Sequence, residues 1–149
     1  MCYPMPVFII GTYNADGTPN TYARGYAGNI YVGSGGVVEM NGGTIKGGTA
    51  THSGGNIYVD GTGEFTMNGG TITGGKVTGK GRNGGNVFIS SKSTFTLKSG
   101  QISNGVSYNC AANLYTNGKF VMTGGYIGGG KIYNWSTRKL VPTENRANV

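Results

Sequence analysis

Apolar and polar positions alternate in short bursts along this chain, and the bursts recur in a fixed order. After Asn29, Asn56, Asn86 and Asn113 come the triplets Ile30-Tyr31-Val32, Ile57-Tyr58-Val59, Val87-Phe88-Ile89 and Leu114-Tyr115-Thr116. A second set follows as Val38-Glu39-Met40, Phe65-Thr66-Met67, Phe95-Thr96-Leu97 and Phe120-Val121-Met122. A third is marked by a single isoleucine after a Gly-rich step, at Ile45, Ile72, Ile102 and Ile127. The four Asn residues stand 27, 30 and 27 residues apart. Within the first two sets apolar residues alternate with another class, the period-two signature of a strand with one buried face. No stretch keeps a 3.6-residue apolar period long enough for a helix.

Three short strands per unit, separated by Gly, Asn, Ser and Thr turns, are too short and too evenly spaced for a sandwich. They suit a solenoid in which each unit makes one turn, like strands stack about 4.8 Å apart, and each inward residue meets its own counterpart above and below. The expected fold is therefore all-β, a parallel β-solenoid of about four three-strand coils. Coil one covers 27–53, coil two 54–83, coil three 84–110 and coil four 111–130. The segment KIYNWSTRKL follows as a final partial strand or lid, so the solenoid domain is 27–135. Residues 1–26 form an amino-terminal capping segment and 136–149 a polar tail.

Composition agrees with this reading. Glycine supplies 31 of 149 residues without the three-residue period of collagen, and solenoid corners often need its positive φ. The net charge of +7 reflects a shortage of acids, five against twelve Lys and Arg. Those bases are scattered singly in corners and tail, which gives no nucleic-acid groove. No apolar run reaches the roughly 18 residues of a membrane span. Met1 to Gly11 is short and lacks the positive start of a signal peptide.

Two phrases resemble known families. Residues 54–75, GGNIYVDGTGEFTMNGGTITGG, with the matching phrases across about 27–130, resemble the right-handed parallel β-helix repeats of bacterial surface and adhesin-like proteins. The resemblance implies a right-handed helix and an extracellular or cell-surface setting. Residues 3–20, YPMPVFIIGTYNADGTPN, are similar to the first strand and hairpin of flavin reductase-like (flavoredoxin) proteins. That likeness implies a strand from Val7 to Tyr13 and a turn at 14–17, here capping the open end of coil one. None of that family's later flavin-contacting segments follows, so no flavin or other cofactor is expected.

Catalysis on this scaffold needs clustered carboxylates. The acids are Asp16, Glu39, Asp60, Glu64 and Glu144, and only Asp60 and Glu64 fall near each other, at the ends of one corner. His52, the single histidine, reads as a solvated loop residue with no metal partner at useful spacing. Lys76, Lys80 and Arg82 make the best local basic patch and read as a solvated corner. Cys2 and Cys110 lie at opposite ends of the stack, too far apart for a disulfide, and no metal site or catalytic set is expected. The Thr-x-Thr form of ice-binding faces occurs at Thr71-Ile72-Thr73 and is lost in the other coils.

What recurs outside the core is aromatic. With Ile30 and Val32 inward, Tyr31 points out, and so do Tyr58, Phe88 and Tyr115. They form a ladder that stabilises the sheet and offers a candidate platform for sugar rings or a partner's surface. Asn29, Asn56, Asn86 and Asn113 form a structural ladder at a corner, their amides placed to donate to the next coil's carbonyls. The expected role is non-catalytic, a surface or adhesion-type module binding glycan or a host or bacterial surface protein through its sheet faces. The alternative is a structural solenoid that self-associates end to end into fibres; a polysaccharide lyase-like enzyme ranks below both.

Overall fold

The computed structural model describes residues 23–134 and 136–142. The capping strand expected over Val7–Tyr13, its turn, Cys2, and the tail from 143 onward lie outside the described residues.

After a single helical turn α1 (Ala23–Tyr26), the chain winds through four coils. Coil one contributes β1 (Ile30–Val32), β2 (Val37–Met40), β3 (Thr44–Lys46) and β4 (Thr49–Ala50). Coil two repeats them as β5 (Ile57–Val59), β6 (Glu64–Met67), β7 (Thr71–Thr73) and β8 (Lys76–Val77). Coil three gives β9 (Val87–Ile89), β10 (Thr94–Leu97), β11 (Gln101–Ser103) and β12 (Val106–Ser107). Coil four gives β13 (Leu114–Thr116), β14 (Lys119–Met122), β15 (Tyr126–Gly128) and β16 (Lys131–Asn134), and β17 (Lys139–Pro142) ends the described chain.

Like strands pair in parallel, so the protein is a parallel β-solenoid with four sheets as its walls. The first three sheets are the strand sets read from the sequence, in the register read there. Ile57 sits between Ile30 and Val87, Phe95 between Phe65 and Phe120, and Ile72 between Ile45 and Ile102. The fourth sheet is an addition to the expected three-strand coil. Its strands are two residues long in the first three coils, and their inward residues Ala50, Val77 and Ser107 belong to no common class. A ladder so short and so mixed leaves no period-two signal. At the end of the chain the segment KIYNWSTRKL, expected as a partial strand or lid, supplies β16 and the start of β17; β17 runs on into the polar tail to Pro142, pairs antiparallel with β16 and covers the last rung of the fourth sheet.

The interior is a dry column. Phe65, Met67, Ile72, Phe95, Leu97 and Ile102 in the two middle coils are at most 1% exposed, and the Phe65 and Phe95 rings stack 4.9 Å apart at 4°. Burying each such side chain contributes about 1.5–3 kcal/mol. At the ends, the described residues supply a stacking partner on one side only. Val38, Ile45, Phe120 and Ile127 are only partly buried, and Met122 is 46% exposed.

The register yields a paired prediction. Ile72→Asp places a charge in the column without a partner and should destabilise by more than about 4 kcal/mol. Thr73→Asp, facing out one residue later with Lys46 as its rung neighbour, should cost less than about 1 kcal/mol. Urea unfolding of the two variants checks this, and equal damage from both contradicts the register.

Candidate functional site

The ladder residues lie on the first sheet, whose pleat turns Ile57 and Val59 inward and Tyr58 outward. Tyr31 and Tyr58 stack at 5.6 Å and 6°, Tyr58 and Phe88 at 4.8 Å and 12°, and Phe88 and Tyr115 at 5.4 Å and 16°. All four rings named from the sequence are thus in one column. Its geometry decides what can touch it. Near-parallel rings one rung apart cover each other's faces, so the edges and hydroxyl tips point outward. Among the described residues, no ring covers the outer face of Tyr115.

Two residues outside the four-ring ladder complete the column. Tyr26, on α1, packs edge-on against Tyr58 at 5.0 Å and at a tilt of 54° against His52 at 4.4 Å. Tyr58 is consequently only 8% exposed, the most buried ring of the four. His52, expected as a solvated loop residue, is half-buried, and its backbone N–H donates to the Gly25 carbonyl at 2.5 Å. Burial, then the Arg82 charge, lowers its pKa. Tyr26 stands outside the repeat, and only its closeness to Asn29 in the chain could have pointed to it. A smaller stack, Tyr108 on Tyr133 at 4.8 Å and 15°, lies beside the fourth sheet.

One carboxylate joins the ladder. The Tyr31 hydroxyl donates to Asp60 Oδ2 at 2.6 Å. Burial and then this bond raise the tyrosine's pKa above its usual range. Burial, followed by the Asp60 charge, pushes Tyr58 up to about 12. At Asp60 itself burial acts upward, but hydrogen bonds from Tyr31, Ser90 and the Gly61 backbone outweigh it and hold the carboxyl below its ordinary value. Asp60 is thereby kept ionised as an acceptor, the opposite of what a general acid requires. Glu64, the other member of the candidate pair, opens β6 and is exposed. Among the described residues, no group of three or more His, Cys, Asp or Glu converges to hold a metal. Cys110 is a free thiol whose Sγ donates to Asn83 Oδ1 at 3.0 Å.

Of the proposed basic patch, Lys80 and Arg82 are exposed in the corner, whereas Lys76 is half-buried on β8.

The Asn ladder runs inside the wall beside the aromatic one. Asn29 Nδ2 donates to Asn56 Oδ1 at 2.6 Å, Asn56 to Asn86 at 2.7 Å and Asn86 to Asn113 at 2.7 Å. The link between coils is amide to amide. The carbonyl partner expected in the next coil lies in the Asn's own coil, at Lys46, Thr73, Ser103 and Gly128. Each Oδ1 from Asn56 onward also accepts a glycine N–H, from Gly48, Gly75 and Gly105, at 2.8 Å. Asn86 therefore makes four hydrogen bonds at 0% exposure, which fills its capacity. Glycine is needed opposite it because a Cβ on Gly75 would collide with the Gly85 carbonyl and stand 2.8 Å from both Asn56 Nδ2 and Asn86 Oδ1.

Two outcomes follow from these bonds. Asn86→Leu strands buried donors and acceptors on both neighbouring coils and should cost about 3 kcal/mol or more in a chemical melt. Because the Asp60 pKa is depressed in the fold, its contribution is complete above the unfolded value near pH 4 and is lost as pH falls through the lower folded value. The melting-temperature gap between the parent and Asp60→Asn should thus be widest near pH 6 and shrink below about pH 4.

Compared with known proteins, the chain matches no protein-family model, no curated protein and no solved structure.

Proposed function

We propose that this protein is a non-catalytic recognition module of the surface or adhesion type, which holds a binding face rigid on a solenoid and engages glycan or protein through it. The observation that carries the reading is the outward aromatic column, repeated in every coil and seated on a fully packed wall. Its sequence phrases resemble those of bacterial surface β-helices, which suits an extracellular or cell-surface setting. The stacked geometry refines the contact. A sugar ring meets the column at its tips and edges, or at the outer face of Tyr115, since the inner faces are taken by neighbouring rings. Tyr31 with Asp60 adds an ionised acceptor for sugar hydroxyls.

A second reading, end-to-end self-assembly, is favoured by one feature. The outermost rungs of coil one match those of coil four in class, Ile30 with Leu114 among the buried residues and Val38 with Phe120 and Ile45 with Ile127 among the partly buried ones. Val37 is 67% exposed beside a cleft of about 870 Å³ at the coil-one end. β17 opposes it, because it occupies the place on the fourth sheet that the next molecule's β4 would take. Monodisperse particles by electron microscopy of concentrated protein support the recognition module, and filaments support assembly.

The test of the recognition module is a glycan array run with the parent and Tyr115→Ala. Loss of the open ring face should weaken binding about tenfold or more while the melting temperature shifts only slightly. Tyr58→Ala, which removes a ring packed on three sides, should instead lower stability. Unchanged binding by Tyr115→Ala contradicts the proposed face.

A further inference from the structure

Charge is unequally distributed along the solenoid axis. Of the twelve Lys and Arg, all but Arg24, Lys46 and Arg146 lie between Phe65 and Pro142, and that stretch contains no Asp or Glu. Successive coils are successive layers, so the sequence asymmetry becomes a gradient. The described carboxylates Glu39, Asp60 and Glu64 belong to coils one and two, and coils three and four carry only positive charge.

On the second sheet the gradient becomes a surface. Phe95 and Leu97 point inward at 0% exposure, so the pleat sends Thr94 and Thr96 outward. Exposed lysines frame these threonines: Lys92 in the corner that enters β10, Lys98 just past its end, and Lys119 one rung from Thr94. On the other side of Thr94 the rung neighbour is Glu64. The face therefore changes sign between coil two and coil four. Lys119 also stands four residues beyond Tyr115, around the corner at Asn117 and Gly118, so the patch adjoins the open end of the aromatic column.

We infer that this face of coils three and four, with Lys92, Lys98 and Lys119 around Thr94 and Thr96, binds an anionic polysaccharide. Carboxylates or sulfates of the chain pair with the ammonium groups, and its hydroxyls bond to the threonines. The inference rests on the glycan reading above and supplies its ligand class. Uncompensated like charges on one face attract a polyanion over a distance set by screening, about 8–10 Å at ordinary ionic strength. Glu64 and Glu39 repel the same chain and confine it to the far coils. A single-stranded nucleic acid fits less well, because it is held by bases stacked on aromatic side chains and the outward residues of this face are Thr, Val and Lys.

The experiment measures binding of the full chain to dextran sulfate, polygalacturonate, neutral dextran and poly(dT), each at low and high salt. The parent should bind at least one anionic glycan, with salt-sensitive affinity, and neutral dextran far more weakly. Lys92→Glu with Lys119→Glu should weaken that binding about tenfold or more. Lys131→Glu with Lys139→Glu, an equal change of charge on the fourth sheet, should weaken it by less than about threefold. Glu64→Lys, which extends the patch by one coil, should strengthen it. Equal losses from the two double variants overturn the assignment to this face, and poly(dT) bound as tightly as the anionic glycans overturns the ligand class. Binding of neutral glycans alone overturns the inference and leaves the recognition module standing. Failure to bind any glycan, charged or neutral, removes both the inference and the glycan reading beneath it.

Discussion

In-register stacking is the constraint from which the rest of this structure follows. At about 4.8 Å per rung, a side chain in the column has its equivalent in the next coil as its nearest neighbour. On the first three sheets, side chains of similar character meet there and pack with few voids. The apolar column of Phe65, Phe95, Ile72 and Ile102 meets that demand by dispersion and exclusion of water. The Asn ladder meets it with hydrogen bonds, since each amide repeats the bonding of the one below and saturates the glycine N–H groups at the corner. The two are adjacent and depend on each other: a slip of one residue would turn the apolar set outward and leave the amides without partners.

Because every coil is held by its neighbours, the middle coils are packed on both sides, whereas among the described residues the end coils are packed on one. Partial burial of Val38 and Ile45 at one end and of Phe120 and Ile127 at the other is the direct result. The antiparallel β17 covers one of four ladders at the coil-four end, a partial closure that interrupts simple continuation into a second molecule. Inward positions are committed to stacking, which leaves outward residues free to differ between coils. The aromatic column and the charge gradient both lie on those outward positions, and the wall beneath them is rigid enough to hold either as a fixed surface.

Much of this was legible in the sequence because the dominant forces act at fixed offsets. The Asn spacing, the triplets and the lone isoleucines gave three sheets in the correct register, and the outward order of Tyr31, Tyr58, Phe88 and Tyr115. The fourth sheet was not legible, since Ala50, Val77 and Ser107 share no chemistry and their strands are two residues long. Nor was the burial of Tyr58 and His52, which depends on Tyr26 arriving from outside the repeat. β17 was legible only in part: KIYNWSTRKL reads as a partial strand or lid, but the antiparallel pairing on β16 and the extension to Pro142 carry no repeat signal. The column of rings was foreseen, but its faces turn toward each other, which moves the accessible chemistry to tips, edges and the Tyr115 end.

The central claim is that like side chains lie on like through the whole column, and isoleucine methyl contacts test it most directly. With selectively labelled isoleucine methyl groups, a NOESY spectrum should connect Ile45 to Ile72, Ile72 to Ile102 and Ile102 to Ile127, with no direct cross-peak between Ile45 and Ile102. Absence of the neighbouring cross-peaks, or contacts that skip a coil, would contradict the stacked solenoid and the outward surfaces derived from it.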